Sequence, residues 1–260
     1  MKLSFNEKVE RKEPSVAPTA AAATAHSAGS GQAVAVIEPQ DTAVAVRGQY
    51  DDLVGEIQTE DLVLPRINLT QKVGDLGDQF GPGVIVFQKE QVLWKEGQDP
   101  LNMVILHAQK RYQENTEFGS DEIGQVVDTL DEVKAQGGWI DWRDGDAGKR
   151  ESPPWAPRLD VVCVLEGPKG ADTSLFPFQF NGKAYAAAVW SVSKSGYTSA
   201  GRTILTARST FLRDGYRTGS WQVTAAKRQG PKGVYFIPAF RANGKTDEKF
   251  RAFLGGVYAA

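Results

Sequence analysis

From residue 84 onward, short runs of β-branched and aromatic residues alternate with breakers rich in Gly, Pro and charge, a spacing that favours strands over long helices. "VIVFQ" at 84–88, "VLW" at 92–94 and "NMVILHAQKRY" at 102–112 predict three consecutive strands of a meander. "RLDVVCVLEG" is apolar almost throughout and predicts a buried strand, and "KAYAAAVWSVS" at 183–193 is a further strand candidate whose alanines would equally tolerate a helix. The best helix is "TSAGRTILTARSTFL", where Ile204, Leu205, Ala207, Phe211 and Leu212 recur at helical spacing behind Thr198 or Ser199 as N-cap. A short terminal helix is expected in "TDEKFRAFLGG", with Phe250, Phe253 and Leu254 on one face and Gly255 as its cap.

Two stretches read as excursions from this pattern. Residues 114–132 hold seven acidic side chains and no basic one, which predicts an exposed segment with a helical turn around Val126–Leu130. Residues 137–158, dense in Gly, Pro and charge, predict a large loop carrying Trp139, Trp142 and Trp155. Residues 1–47, rich in Ala, Ser, Thr, Pro and Gly, cannot repay the entropy of ordering and are expected to be a disordered tail. The expectation for 48–260 is one mainly β domain, an OB-like antiparallel barrel with one or two packed helices.

Composition narrows the chemistry. One cysteine, Cys163, and two histidines, His26 and His107, exclude an intramolecular disulfide framework and a Cys/His zinc site, and a reducing, cytoplasmic interior is the expected home. No run of apolar residues is long enough for a membrane-spanning helix. "GDAGKR" at 145–150 has neither the glycine spacing nor the Ser/Thr of a phosphate-binding loop. Asp141, Asp144 and Asp146 lack the loop glycine and terminal glutamate of a calcium-binding hand, and are expected to be a solvated acidic loop. Cys163, among valines, reads as an inert buried thiol, and His107 as a core or sheet-surface residue. With no catalytic motif, no metal and no cofactor indicated, a non-enzymatic role is expected.

Charge gives the strongest functional signal. Residues 181–260 carry thirteen Lys/Arg against three Asp/Glu, although the whole chain has a net charge of −2. A basic third can form a local positive surface on an acidic protein. Its centre is "WQVTAAKRQGPKGVYFIPAF", a predicted hairpin in which alternation sets Trp221, Val223, Ala225 and Lys227 on one face and Gln222, Thr224, Ala226 and Arg228 on the other. Single-stranded nucleic acid needs cations along its backbone and rings on which bases stack, and this region supplies both. The candidate binding residues are Lys194, Arg202, Arg208, Arg213, Tyr216, Arg217, Trp221, Lys227, Arg228, Lys232, Tyr235 and Arg241, with Arg111 and Tyr112 as a further basic–aromatic pair.

The layout resembles the phage-encoded single-stranded DNA-binding proteins of OB-fold type. The resemblance spans residues 56–256 and lies in "EDLVLPRINLTQ", the β-rich segments, the helix "TSAGRTILTARSTFL" and the basic hairpin before a terminal helix. It implies coating of transient single strands in replication or recombination, without catalysis or cofactor, in the host cytoplasm and with replication or recombination proteins or further copies of the chain as partners. Members of this functional class often end in an acidic tail that recruits partners. This chain ends "FLGGVYAA", so the acidic 114–132 segment is the expected substitute. The competing expectations are a phage structural or assembly protein that uses the same surface for protein contacts and, second, an enzyme that acts on nucleic acid with a metal held by Asp141, Asp144 and Asp146.

Overall fold

A computed structural model describes residues 64–116, 124–145, 149–231 and 233–259. All belong to one compact unit, Gln40–Ala260. The tail expected over 1–47, the first part of the expected domain, residues 117–123 of the acidic run, Asp146 and Lys232 lie outside the described residues.

The first two runs of the predicted meander pair with each other, but the third, at 102–112, joins the main sheet and does not pair with the second. β1 (Ile67–Leu69), β2 (Ile85–Phe87) and β3 (Gln91–Trp94) make a small antiparallel sheet. The main sheet runs β12–β11–β4–β8–β10–β9, from β4 (Leu101–Glu114), β8 (Trp155–Glu166), β9 (Phe178–Phe180), β10 (Lys183–Ser193), β11 (Gly219–Gly230) and β12 (Gly233–Lys245). Every ladder in both sheets is antiparallel. A bulge between Ile105 and His107 in the β4–β8 ladder adds bend and twist.

That twist rolls the sheet up. Three strands lie between β10 and β12 in sheet order, yet Trp190 of β10 meets Phe240 of β12 with ring centroids 5.5 Å apart. Trp221 packs edge-on against the same Phe240 at 6.1 Å. The interior of the roll is the main core, filled by Met103, Ile105, Leu159, Val161, Cys163, Leu165 and the alternate residues of β10 and β11. No ladder joins β10 to β12 among the described residues, so the strands do not close into a barrel. The segment 65–71 spans the gap instead. On one side the Val189 amide donates to the Pro65 carbonyl at 2.8 Å and Arg66 forms a parallel bridge with Val189. On the other, the Gln71 side chain takes the place of a strand: its amide donates to the Phe236 carbonyl at 2.9 Å and its oxygen accepts from the Phe236 amide at 3.0 Å.

The helices close the open ends and the outer face. A continuous helical run passes from Lys194–Gly196 through a π-turn, Tyr197–Gly201, into α3 (Arg202–Thr210), and buries Tyr197, Ala200, Ile204 and Ala207 in the main core. It starts four residues before the expected cap. Thr198 is therefore inside the helix, with its hydroxyl donating back to the Lys194 carbonyl at 3.3 Å. The terminal helix α4 (Glu248–Ala259) begins at Asp247, whose Oδ1 accepts from the amides of Lys249 and Phe250 at 2.9 and 3.2 Å. It lays Phe250, Phe253 and Leu254 on the outer sheet face against Val104, Val164, Tyr185 and Phe180. Gly255 does not cap it; the helix runs on past that residue because this apolar packing continues through Val257.

The acidic excursion differs from its expectation. Val126 and Val127 form β5, paired with Gln113 and Tyr112 of β4, and the helix α2 (Leu130–Ala135) follows rather than occupying 126–130. Thr129 caps α2: its hydroxyl accepts from the Glu132 amide at 3.2 Å and donates to the Glu132 carboxylate at 2.6 Å, a reciprocal box written in the sequence as Thr-Leu-Asp-Glu. Of the three tryptophans of the expected loop, Trp155 opens β8 and is buried with Tyr112, Val127 and Val133. The short strands β6 (Arg143–Asp144) and β7 (Arg150–Glu151) pair within the loop, and α1 (Asp75–Phe80) completes the set. Among the described residues no helix is long and apolar enough to cross a membrane.

Candidate functional site

A cavity lies along the seam where the rolled sheet fails to close. It is an open cleft of about 990 Å³ between the β1–α1 segment, the end of β10 with the start of the helical run, and the returning strand of the hairpin. Three features give it character. Lys89 and Lys194 are exposed on its walls, from elements far apart in sequence. Tyr235 and Phe236, each half-buried, supply rings. Val73, 71% exposed, puts an apolar surface on the rim beside the cleft's one lining carboxylate, Asp75.

The backbone holds these groups in place at some local cost. Gln88 and Lys89 are the central residues of the turn joining β2 to β3, closed by the Glu90 amide on the Phe87 carbonyl at 3.0 Å, and both have positive φ, 51° and 63°. Such a turn suits Asn and Gly; a longer side chain costs about 1–2 kcal/mol per residue in that region. Lys194 also has positive φ, 52°, where β10 breaks into helix. Local strain of this kind is retained where the surroundings over-determine it. On the far wall Phe236 lies against Gly83, where a Cβ would come within 2.6 Å of the ring. Only glycine lets the hairpin lie this close to the small sheet.

The hairpin itself is an arm. β11 pairs with β4 only over Ser220–Val223, whereas its ladder with β12 runs to Gly230↔Gly233, so the second half of the hairpin extends beyond β4. Lys227 and Arg228 are exposed near its tip, and Arg228 faces Tyr235 across the ladder. Lys232, predicted beside them, lies outside the described residues.

The remaining predicted residues separate into groups. Arg202 is exposed at the start of α3, midway along the helical run that begins at Lys194. Arg208, Arg213, Tyr216 and Arg217 gather at the far end of that helix, where the Arg208 guanidinium lies 5.8 Å from the Tyr216 ring and donates to the carbonyls of Leu212 and Arg213. Burial raises the Tyr216 phenol above its ordinary range, and the neighbouring arginine offsets part of that. Arg241 is exposed on β12 opposite Gln222.

Three predicted residues are corrected by their surroundings. Trp221 is 1% exposed and fills the roll of the sheet, so it has no face to offer a base. Tyr112 is buried under β5 and α2. Arg111 is already held by two carboxylates, Asp128 at 2.5 Å and Asp160 at 3.8 Å, and Asp160 in turn binds Arg158 at 2.6 Å. Packing competed for each of these side chains and won.

Lys89, Gln71 and Val73 were not among the sequence candidates. The turn at Lys89 is marked by the break between "VIVFQ" and "VLW", but nothing local says which way its tip points. Gln71 carries no sequence signal at all, because its role exists only once the sheet has rolled. The acidic loop shows no metal-ligating group among the described residues, and burial pushes the Cys163 thiol far up, with its Sγ on the Ala188 carbonyl at 3.6 Å. The chain is matched by no protein-family model, no curated protein and no solved structure.

Proposed function

We propose that this protein binds single-stranded DNA in the seam cleft, on an OB-like rolled sheet whose incomplete closure makes the groove. The observation that carries the proposal is the convergence of Lys194, Lys89 and Tyr235 on one open cleft of about 990 Å³, from three separate parts of the chain. Phosphates follow the lysines, and unstacked bases lie against Tyr235, Phe236 and the exposed Val73. Each base–ring stack contributes about 1–3 kcal/mol and tolerates any base, so little sequence preference is expected. Lys227 and Arg228 on the projecting arm extend the cationic path, and transient single strands in replication or recombination are the natural target of such a surface.

The test is a fluorescence-anisotropy titration of single-stranded and duplex DNA of equal length at 50 and 200 mM salt. The four cations of cleft and arm predict, on a single strand, a slope near −3 and a loss of about 50-fold over that range. Duplex should bind more weakly at both salts, since its bases are not free to stack. Equal or absent binding at low salt sinks the proposal.

A second possibility, an assembly protein, is favoured by one specific observation: β12 pairs with β11 alone, and beyond Phe236 its outer edge lacks a strand partner among the described residues. Such an edge is a template for another chain. Concentration-dependent association without DNA, measured by sedimentation, would support it.

A further inference from the structure

The helical run that starts at Lys194 in the cleft ends beside a second, smaller cavity of about 380 Å³. Phe211 stands at its mouth, 59% exposed, although the helical spacing of the sequence predicts this ring on an apolar face. Lys245 at the end of β12 and Arg251 of α4 line the same space, and neither has an ion-pair partner among the described residues. Asp214 is the one carboxylate in the lining. Thr246 is 7% exposed and its Oγ1 has no hydrogen-bond partner, while its amide is committed to the Thr218 carbonyl at 3.0 Å. Thr218 directs its own hydroxyl to the Gly215 carbonyl at 2.7 Å, so both threonines are committed to the fold and Lys245 and Arg251 are the basic groups the cavity presents.

The connection between the two cavities is chemically continuous. From Lys183 to Arg213 the chain contains no acidic residue. The exposed hydroxyls of Thr198, Thr203, Ser209 and Thr210 donate back to helix carbonyls, so the charges presented along this run are Arg202 and Arg208. An anionic strand leaving the cleft meets cations and neutral groups all along the helix.

We propose that the Phe211 cavity is a second station for the same strand. One base stacks on Phe211, and Lys245 and Arg251 hold the flanking phosphates. This rests on single-strand binding in the cleft, and it assigns the strand a path along α3 rather than one confined to the hairpin. The stations stand at opposite ends of a helical run about 25 Å long. An unstacked strand reaches at most about twice the roughly 3.4 Å per nucleotide of a duplex strand, so the three steps of dT4 span about 20 Å and cannot reach both, whereas dT12 can.

The experiment measures dT4 and dT12 affinity for the full chain and for Phe211→Ala and Arg251→Gln, with Lys89→Ala as the cleft control. Phe211→Ala, an exposed change that the core does not feel, should lower dT12 affinity about tenfold and leave dT4 unchanged. Arg251→Gln should act in the same direction and flatten the salt slope by about 0.7. Unchanged dT12 binding in both variants overturns the second station, while weakened dT4 binding by Lys89→Ala shows that the cleft stands without it. Failure of the unaltered chain to bind either oligomer overturns the cleft and the station together. Loss of dT4 binding in Phe211→Ala would make this cavity the primary site and overturn the path.

Discussion

Trp221 and Tyr235 sit on the same hairpin with aromatic rings of similar size, and the structure gives them opposite work. Trp221 is enclosed by the roll and touches Phe240, whereas Tyr235 is half-buried on the cleft wall. Trp221→Ala should therefore cost about 3–5 kcal/mol of folding stability, read as a drop in the thermal or urea midpoint. Any loss of DNA binding in that variant would follow from unfolding. Tyr235→Ala should leave the midpoint within about 1 kcal/mol and weaken single-strand binding by about 1–3 kcal/mol. The reverse pattern, with Tyr235 controlling stability and Trp221 controlling binding, would remove the cleft from the interface. From sequence the two were indistinguishable, because alternation assigns a face without saying which face the rest of the fold covers. Arg111 makes the same point for charge: its partners Asp128 and Asp160 come from other strands and loops.

At the scale of elements, the hairpin was legible in detail. Its two strands and their alternating faces appear, with Ala225 opposite Pro238 and β12, which carries that proline, on the margin of the sheet. What the sequence did not convey is that its distal half projects beyond β4 as an arm. Removing the two cations there tests whether the arm touches DNA: Lys227→Ala with Arg228→Ala should reduce the salt slope by about 1–2 units with no change in the unfolding midpoint. An unchanged slope would confine the interface to the cleft and helix. The strand β10 shows the limit of local propensity from the other side. Its four alanines would accept a helix, but the ladder to β8 and the burial of Trp190 and Val192 fix it as a strand. Asn181-Gly182, with φ of 49° and 73°, turns β9 into β10 and is the local signal that could have settled the matter.

For the whole molecule, the decisive feature is the seam. A sheet that rolls far enough to bring Trp190 onto Phe240, but not far enough to pair β10 with β12, leaves a gap that segment 65–71 bridges through backbone on one side and the Gln71 side chain on the other. Gln71→Ala removes both hydrogen bonds to Phe236 and leaves that residue's amide and carbonyl unpaired, at a cost of about 1–3 kcal/mol. Amide exchange at Phe236 should accelerate, and single-strand binding should weaken with it because the wall bearing Tyr235 loosens. Unaltered exchange at Phe236 would mean that the seam is held by packing alone. The sequence by itself determined the strand-rich class, the strands from 84 to 112, the long buried strand through Cys163, the basic hairpin and the apolar stripe of the terminal helix. These depend on near neighbours in the chain, on alternation, on turn residues and on charge counts. The tertiary structure decided where the helical run begins, which rings are enclosed, which arginines are already paired, and that Lys89, Lys194 and Tyr235 share one cleft. The physical reason is that each of these is set by contacts between residues tens to more than a hundred positions apart, fixed by the twist and incomplete closure of the sheet and by no local pattern.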